Sequence, residues 1–162
     1  MLNNDYRDIL SALTDRKAKF LLVGAYAMAV HGYPRSTMDI DLWVMPDPEN
    51  ALLVLQALDD FGAPTGDLSP EDLQKEGLIF QIGAAPRRID ILTSVDGLKF
   101  EEAYAHSQTI EIEGIPVRVL TVSDLIKNKR STGRTKDLAD AESLEERQWS
   151  RTVPGTICVY LM

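Results

Sequence analysis

The sequence predicts a single α+β domain, a mixed β-sheet flanked by helices. Three observations predict it. The chain has 162 residues, enough for one hydrophobic core and too few for two. Short apolar runs bounded by Gly and Pro alternate with stretches of helical periodicity. No internal repeat, low-complexity tract or interdomain linker interrupts that pattern.

The elements follow in order. Residues 5–16 carry Tyr6, Ile9, Leu10 and Leu13 at helical spacing. Residues 20–23 form a short buried strand, Gly24 breaks it, and residues 25–31 turn helical. Residues 39–45 make a second strand, ended by Pro46 and Pro48, and Pro48 can open the helix over 51–61 that stops at Gly62. Ser69-Pro70-Glu71-Asp72 has the chemistry of a helix start, with a Ser cap, Pro in the first position and acids in the first turn. Residues 78–82 and 88–92 are strands joined by a Gly-Ala-Ala-Pro turn, and 100–106 is a short helix. Residues 109–113 and 116–120 form a hairpin about Gly114. Two helices, 122–130 and 135–147, close the domain, which spans 1–147. The tail 148–162 contains Trp149 and ends in Ile-Cys-Val-Tyr-Leu-Met. It is either an extra strand or an association segment for a protein partner or a second copy.

Composition narrows the function. The net charge of −8 disfavours a general nucleic-acid coat, because phosphate affinity comes mainly from Lys and Arg. A local exception is the acid-free stretch 125–136, with Lys127, Lys129, Arg130, Arg134 and Lys136. The lone Cys158 can form no internal disulfide, and no Cys/His cluster suggests zinc. The first ten residues lack a signal-peptide layout, and the longest apolar stretch, 20–30, is too short to span a bilayer. A cytoplasmic protein without membrane contact is the expectation.

The chemistry centres on aspartates. Asp39 and Asp41 are two apart on a strand, so they share one face while Ile40, Leu42 and Val44 face the core. Such a carboxylate pair either sits exposed or binds a cation, since two unpaired charges are costly to bury together. Oxygen-only ligands favour a hard ion, Mg²⁺ or Mn²⁺. Asp90, between Ile89 and Ile91, has the same strand context, and it is either a third ligand or an ion-pair partner of Arg87 or Arg88. Three converging carboxylates suit two ions bridging a nucleoside triphosphate. Gly24, between strand and helix, permits close approach of a phosphate to the backbone. Trp43 shares the face of Asp39 and Asp41 and is expected to form a wall there. His31 and His106 read as capping or packing residues.

A strand, Gly24, a helix, then Asp39-Ile-Asp41 and later Ile89-Asp90-Ile91 resemble the signature of the polymerase-beta-like nucleotidyltransferase superfamily. The stretches 31–37 and 124–137 are similar to its small prokaryotic branch, which includes abortive-infection and toxin–antitoxin minimal nucleotidyltransferases. The resemblance covers residues 5–146. It implies the nucleotidyltransferase fold and metal-dependent transfer of a nucleoside monophosphate from an NTP to a hydroxyl acceptor on an RNA end, a protein side chain or a small molecule. It implies that Asp39 and Asp41 hold both metals, that Asp90 holds one and acts as base, and that Gly24 and Ala25 line the triphosphate. Arg35 is either a phosphate contact or a surface ion pair. Lys127 and Lys129 either touch triphosphate or RNA, or belong to a solvated helix–loop–helix. Lys136 would pair with Asp137 and Asp140. Ala25 departs from the usual Ser or Gly and removes a hydroxyl donor. The alternative function is therefore a catalytically weakened interaction module of a toxin–antitoxin pair.

Overall fold

The computed structural model describes residues 2–33, 39–84 and 86–152. In chain order the elements are α1 (Asn4–Asp15), β1 (Phe20–Val23), α2 (Gly24–Val30), β2 (Ile40–Val44), α3 (Pro48–Phe61), β3 (Ile79–Ile82), β4 (Ile89–Leu92), α4 (Phe100–His106), β5 (Gln108–Ile112), β6 (Ile115–Val119), α5 (Val122–Thr132) and α6 (Thr135–Thr152). The strands form one mixed sheet in the order β3-β4-β2-β1-β6-β5. The β1–β2, β3–β4 and β5–β6 pairs are antiparallel, whereas β2–β4 and β1–β6 are parallel. The parallel β2–β4 pair needs a crossover, supplied by α3 and β3.

The apolar periodicity explains the packing. Tyr6, Ile9, Leu10 and Leu13 of α1 are buried, and α1 packs on α3 and β6. All of β1 is buried, as are Ile40, Leu42 and Val44 of β2. Each such side chain contributes about 1.5–3 kcal/mol when fully buried. A second helical pair, α5 with α6, contacts α2. The caps are those the residue types favour: Asn3 accepts from the Tyr6 N–H at 2.9 Å, Asp47 from Asn50 at 2.6 Å and Thr121 from Asp124 at 3.1 Å.

Two elements depart from expectation. The Ser69 start yields only a single 3-10 turn, Asp72–Gln74. Ser69 and Asp72 do exchange cap bonds, at 3.0 and 3.1 Å. Gly77 and the opening of β3 at Ile79 leave no room for further turns, and Leu73 is the turn's sole buried residue. Conversely, α6 runs on to Thr152, past the expected end at 147. The rest of the tail, 153–162, lies outside the described residues.

One polar residue braces the β1–β2 pair at the end away from the aspartates. Asn50 is buried, and its Nδ2 donates to the carbonyls of Lys19 and Met45 at 2.9 and 3.0 Å, while its Oδ1 accepts from Lys19 N–H at 2.7 Å. It thereby ties the start of β1 to the end of β2, with α3 as the brace.

Candidate active site

Register brings the aspartates together. In the parallel β2–β4 pair Asp41 stands opposite Asp90, and in the β1–β2 pair Val23 stands opposite Asp41. Asp39 lies one residue ahead of β2, and all three carboxylates line one cavity of about 660 Å³. Because Val23 faces Asp41, the next residue, Gly24, lies against the Asp41 carboxylate. Gly24 has φ +68°, and a Cβ there would run into Asp41 Oδ2. Both the backbone conformation and the space therefore call for glycine. Ala25 follows in the cavity wall.

A guanidinium sits among the carboxylates. Arg88 Nε–H donates to Asp90 Oδ1 at 2.9 Å, and Nη2 reaches Asp90 Oδ2 at 3.2 Å and Asp39 Oδ2 at 3.1 Å. Asp90 is buried, whereas Arg88 and Asp39 keep about a third of their side-chain surface, 33% and 35%. Burial pushes the Asp41 carboxyl up to about 6, helped by the charges of Asp90 and Asp39 and by a hydrogen bond to Asp90; Arg88 pulls the other way. The bonds to Asp90 hold Arg88 more firmly protonated than usual. The site is thus a crowd of negative charge that its own arginine only partly answers.

A family model described as "Nucleotidyltransferase of unknown function (DUF6036)" matches residues 2–147. The chain belongs to this family. No curated protein matches the chain. Among solved structures, a Thermotoga maritima protein described as a "putative nucleotidyltransferase" is similar over 94% of this chain and 97% of its own, with a TM-score of 0.58 and 15% identity. That likeness shows the nucleotidyltransferase fold.

The far wall of the cavity in this DUF6036 chain comes from α5 and α6, through Asn128, Lys129, Thr132, Arg134, Lys136 and Asp137. Here the structure redistributes the expected roles. Lys129 lines the cavity but is largely buried, and it pairs with Asp137 at 3.1 Å and Asp140 at 3.4 Å. Those are the acids expected to pair with Lys136. Arg134 Nε also donates to Asp137, at 2.8 Å. Lys136 is exposed and lines the cavity. Lys127 is exposed but is not among the lining residues. Arg35 lies outside the described residues. Trp43 is buried edge-on against Phe100, with ring centroids 5.1 Å apart, and does not line the cavity. His31, the C-cap of α2, donates its Nε2–H to the Leu120 carbonyl at 2.6 Å.

Sequence reasoning treated Arg88 only as a rival partner for Asp90, and missed the segment after β4. Ser94, Val95 and Asp96 line the cavity, and Asn128 Nδ2 donates to the Asp96 carbonyl at 2.9 Å. The overlooked signal was Asp96-Gly97 just past a strand. A Cβ at Gly97 would collide with Ser131 of α5, so the glycine marks a close approach.

The donor set suits a hard divalent ion in kind: three carboxylates, one with its proton affinity raised, beside a glycine cradle. It is not yet gathered in arrangement. Among the described residues no three His, Cys, Asp or Glu side chains form a ready ligand set. Nor is any described helix long and apolar enough to cross a membrane.

Proposed function

We propose that this cavity transfers a nucleoside monophosphate from an NTP to a hydroxyl acceptor, the acceptor oxygen bonding the α-phosphorus as the bond to the β-phosphate breaks and pyrophosphate leaves, with Asp39, Asp41 and Asp90 holding Mg²⁺ or Mn²⁺. The observation that carries this reading is the side-by-side register of Asp41 and Asp90 at the wall of an open cavity, with Asp39 next to them. A bound ion would neutralise phosphate charge and ease ionisation of the attacking hydroxyl. The side chains do the rest. Asp90 takes the proton of the acceptor hydroxyl. Gly24 and Ala25 leave room for the triphosphate beside Asp41. Lys136, exposed and in no ion pair among the described residues, supplies a cation to the phosphates, and Lys129 with Arg134 fixes the wall it stands on. Rate enhancement then comes from positioning and charge, with no covalent work by the protein. The acceptor is an RNA end, a protein side chain or a small molecule. Labelled ATP, CTP, GTP and UTP incubated with protein, ion and cell extract test this. Ion-dependent label transfer that Asp41→Asn abolishes is expected; no transfer from any nucleotide to any fraction would overturn it.

A second reading is favoured by one residue. Ala25 lines the cavity without the hydroxyl that a serine would offer to a phosphate. A catalytically weakened member, acting as the interaction half of a toxin–antitoxin pair, would tolerate that loss. Its contact with a protein partner or a second copy would run through the tail, residues 148–162. Size measurement with and without residues 150–162 discriminates: an unchanged monomer in both cases removes the tail from this reading.

A further inference from the structure

We propose that Arg88 is the resident counter-ion of the carboxylate site, which must leave Asp39 and Asp90 before a divalent ion binds and which thereby sets the site's ion affinity. This rests on the reading of those aspartates as metal ligands. The guanidinium fork occupies both oxygens of Asp90 and one of Asp39, at 2.9, 3.2 and 3.1 Å. A divalent ion needs the same oxygens, and it would repel a guanidinium held on them. The two cations are therefore alternatives on one set of ligands.

The backbone beneath Arg88 is fixed while its side chain has room to move. Its carbonyl accepts from the Ile40 N–H at 3.0 Å and from the Tyr6 hydroxyl at 3.2 Å, which pins the start of β4 to β2 and α1. The side chain keeps a third of its surface and lines the cavity. Displacement thus requires only rotation of the side chain into open space. The site can stay folded without an ion because Arg88 stands in for it, at the cost of weaker ion binding. A merely structural arginine, tying β4 to the residue before β2, would give the opposite result: removing it would loosen the ligands and weaken the ion.

Calorimetric titration with Mn²⁺ alone, near neutral pH and without nucleotide, separates these. Arg88→Gln should bind Mn²⁺ about tenfold more tightly than wild type, equivalent to about 1.4 kcal/mol. Adding Asp41→Asn should abolish binding in both backgrounds. A second measurement needs no substitution at Arg88. In nitrogen-labelled wild-type protein the Arg88 Nε–H signal should shift, and exchange faster with solvent, as Mg²⁺ saturates. Equal or weaker Mn²⁺ binding by a folded Arg88→Gln, or an unmoved Nε–H signal at saturation, would overturn the counter-ion role while leaving the metal site standing. Absence of ion binding by both proteins, with NTP added as well as without it, would overturn the metal site itself and the counter-ion role with it.

Discussion

Asp41 and Asp90 share one register position of the parallel β2–β4 pair, so two carboxylates stand side by side. The Asp41 carboxyl is pushed up to about 6 from an ordinary 3.8, through burial first and then Asp90 and Asp39. A raised folded value means that the folded state binds more protons than the unfolded chain in that window. Asp41 therefore favours the fold at low pH and ceases to as pH climbs from 3.8 towards 6, a loss of roughly 3 kcal/mol at most. Asp60, Asp72 and Asp137 are held below their ordinary range and act with the opposite sign. The difference between wild type and Asp41→Asn isolates the Asp41 contribution. Urea unfolding of both, without ion, should show the asparagine variant gaining on wild type as pH rises through this window. Parallel pH curves would contradict the pairing.

Gly24→Ala should damage the site more than its size suggests. The new methyl meets the Asp41 carboxylate, and the positive φ disfavours any side chain. A stability loss of about 1–2 kcal/mol is expected, together with a weaker response to divalent ion. A variant with wild-type melting and ion response would show that Asp41 has slack against β1.

Lys127 and Lys129 should separate cleanly. Lys129→Ala removes the ammonium that Asp137 and Asp140 share in a largely buried setting, while Arg134 and Thr132 stay bonded to Asp137. Chemical denaturation should register a loss of about 2–4 kcal/mol. Lys127→Ala, on an exposed position, should stay within about 0.5 kcal/mol of wild type. Similar stabilities for the two variants would mean that the Lys129 pairs contribute little.

Ala25→Ser restores a hydroxyl donor beside Gly24. A hydrogen bond to a charged phosphate contributes about 1.5–3 kcal/mol at best, so several-fold tighter NTP binding is the expected result. Titration calorimetry with Mg²⁺ and each NTP reads it. Unchanged or looser binding would place the phosphates elsewhere in the cavity.

Much of this architecture is legible in local chemistry. Phe20–Val23, Ile40–Val44 and Ile89–Leu92 are short apolar runs between turn residues, with Asp41 and Asp90 on the last two and Asp39 just ahead of β2, two residues from Asp41. Phe100–His106 and the β5–β6 hairpin follow from periodicity and Gly114. What could not be read depends on distant partners. Nothing local says that β6 pairs with β1 in parallel, or that α5 and α6 close the far wall of the cavity. The Ser69 cap was real, but chain length to β3 decided how much helix followed it. Lys129 and Lys136 look equivalent in sequence; only the packing of α5 on α6 buries one of them against two acids. Arg88 is two residues from Asp90, yet its reach to Asp39 depends on the β2–β4 pairing.

The most direct measurement is a melting series of wild type and Asp41→Asn with and without Mg²⁺ or Mn²⁺. An ion that binds only the folded state stabilises it by mass action, about 2.7 kcal/mol at a hundred times its dissociation constant. Wild type should melt higher with millimolar ion, and higher still with NTP. Asp41→Asn should be at least as stable as wild type without ion near neutral pH, and should gain little from adding it. If wild type shows no ion-dependent shift with or without NTP, or if the asparagine costs stability as a broken ion pair would, the three aspartates are structural and the proposed transfer chemistry has no site.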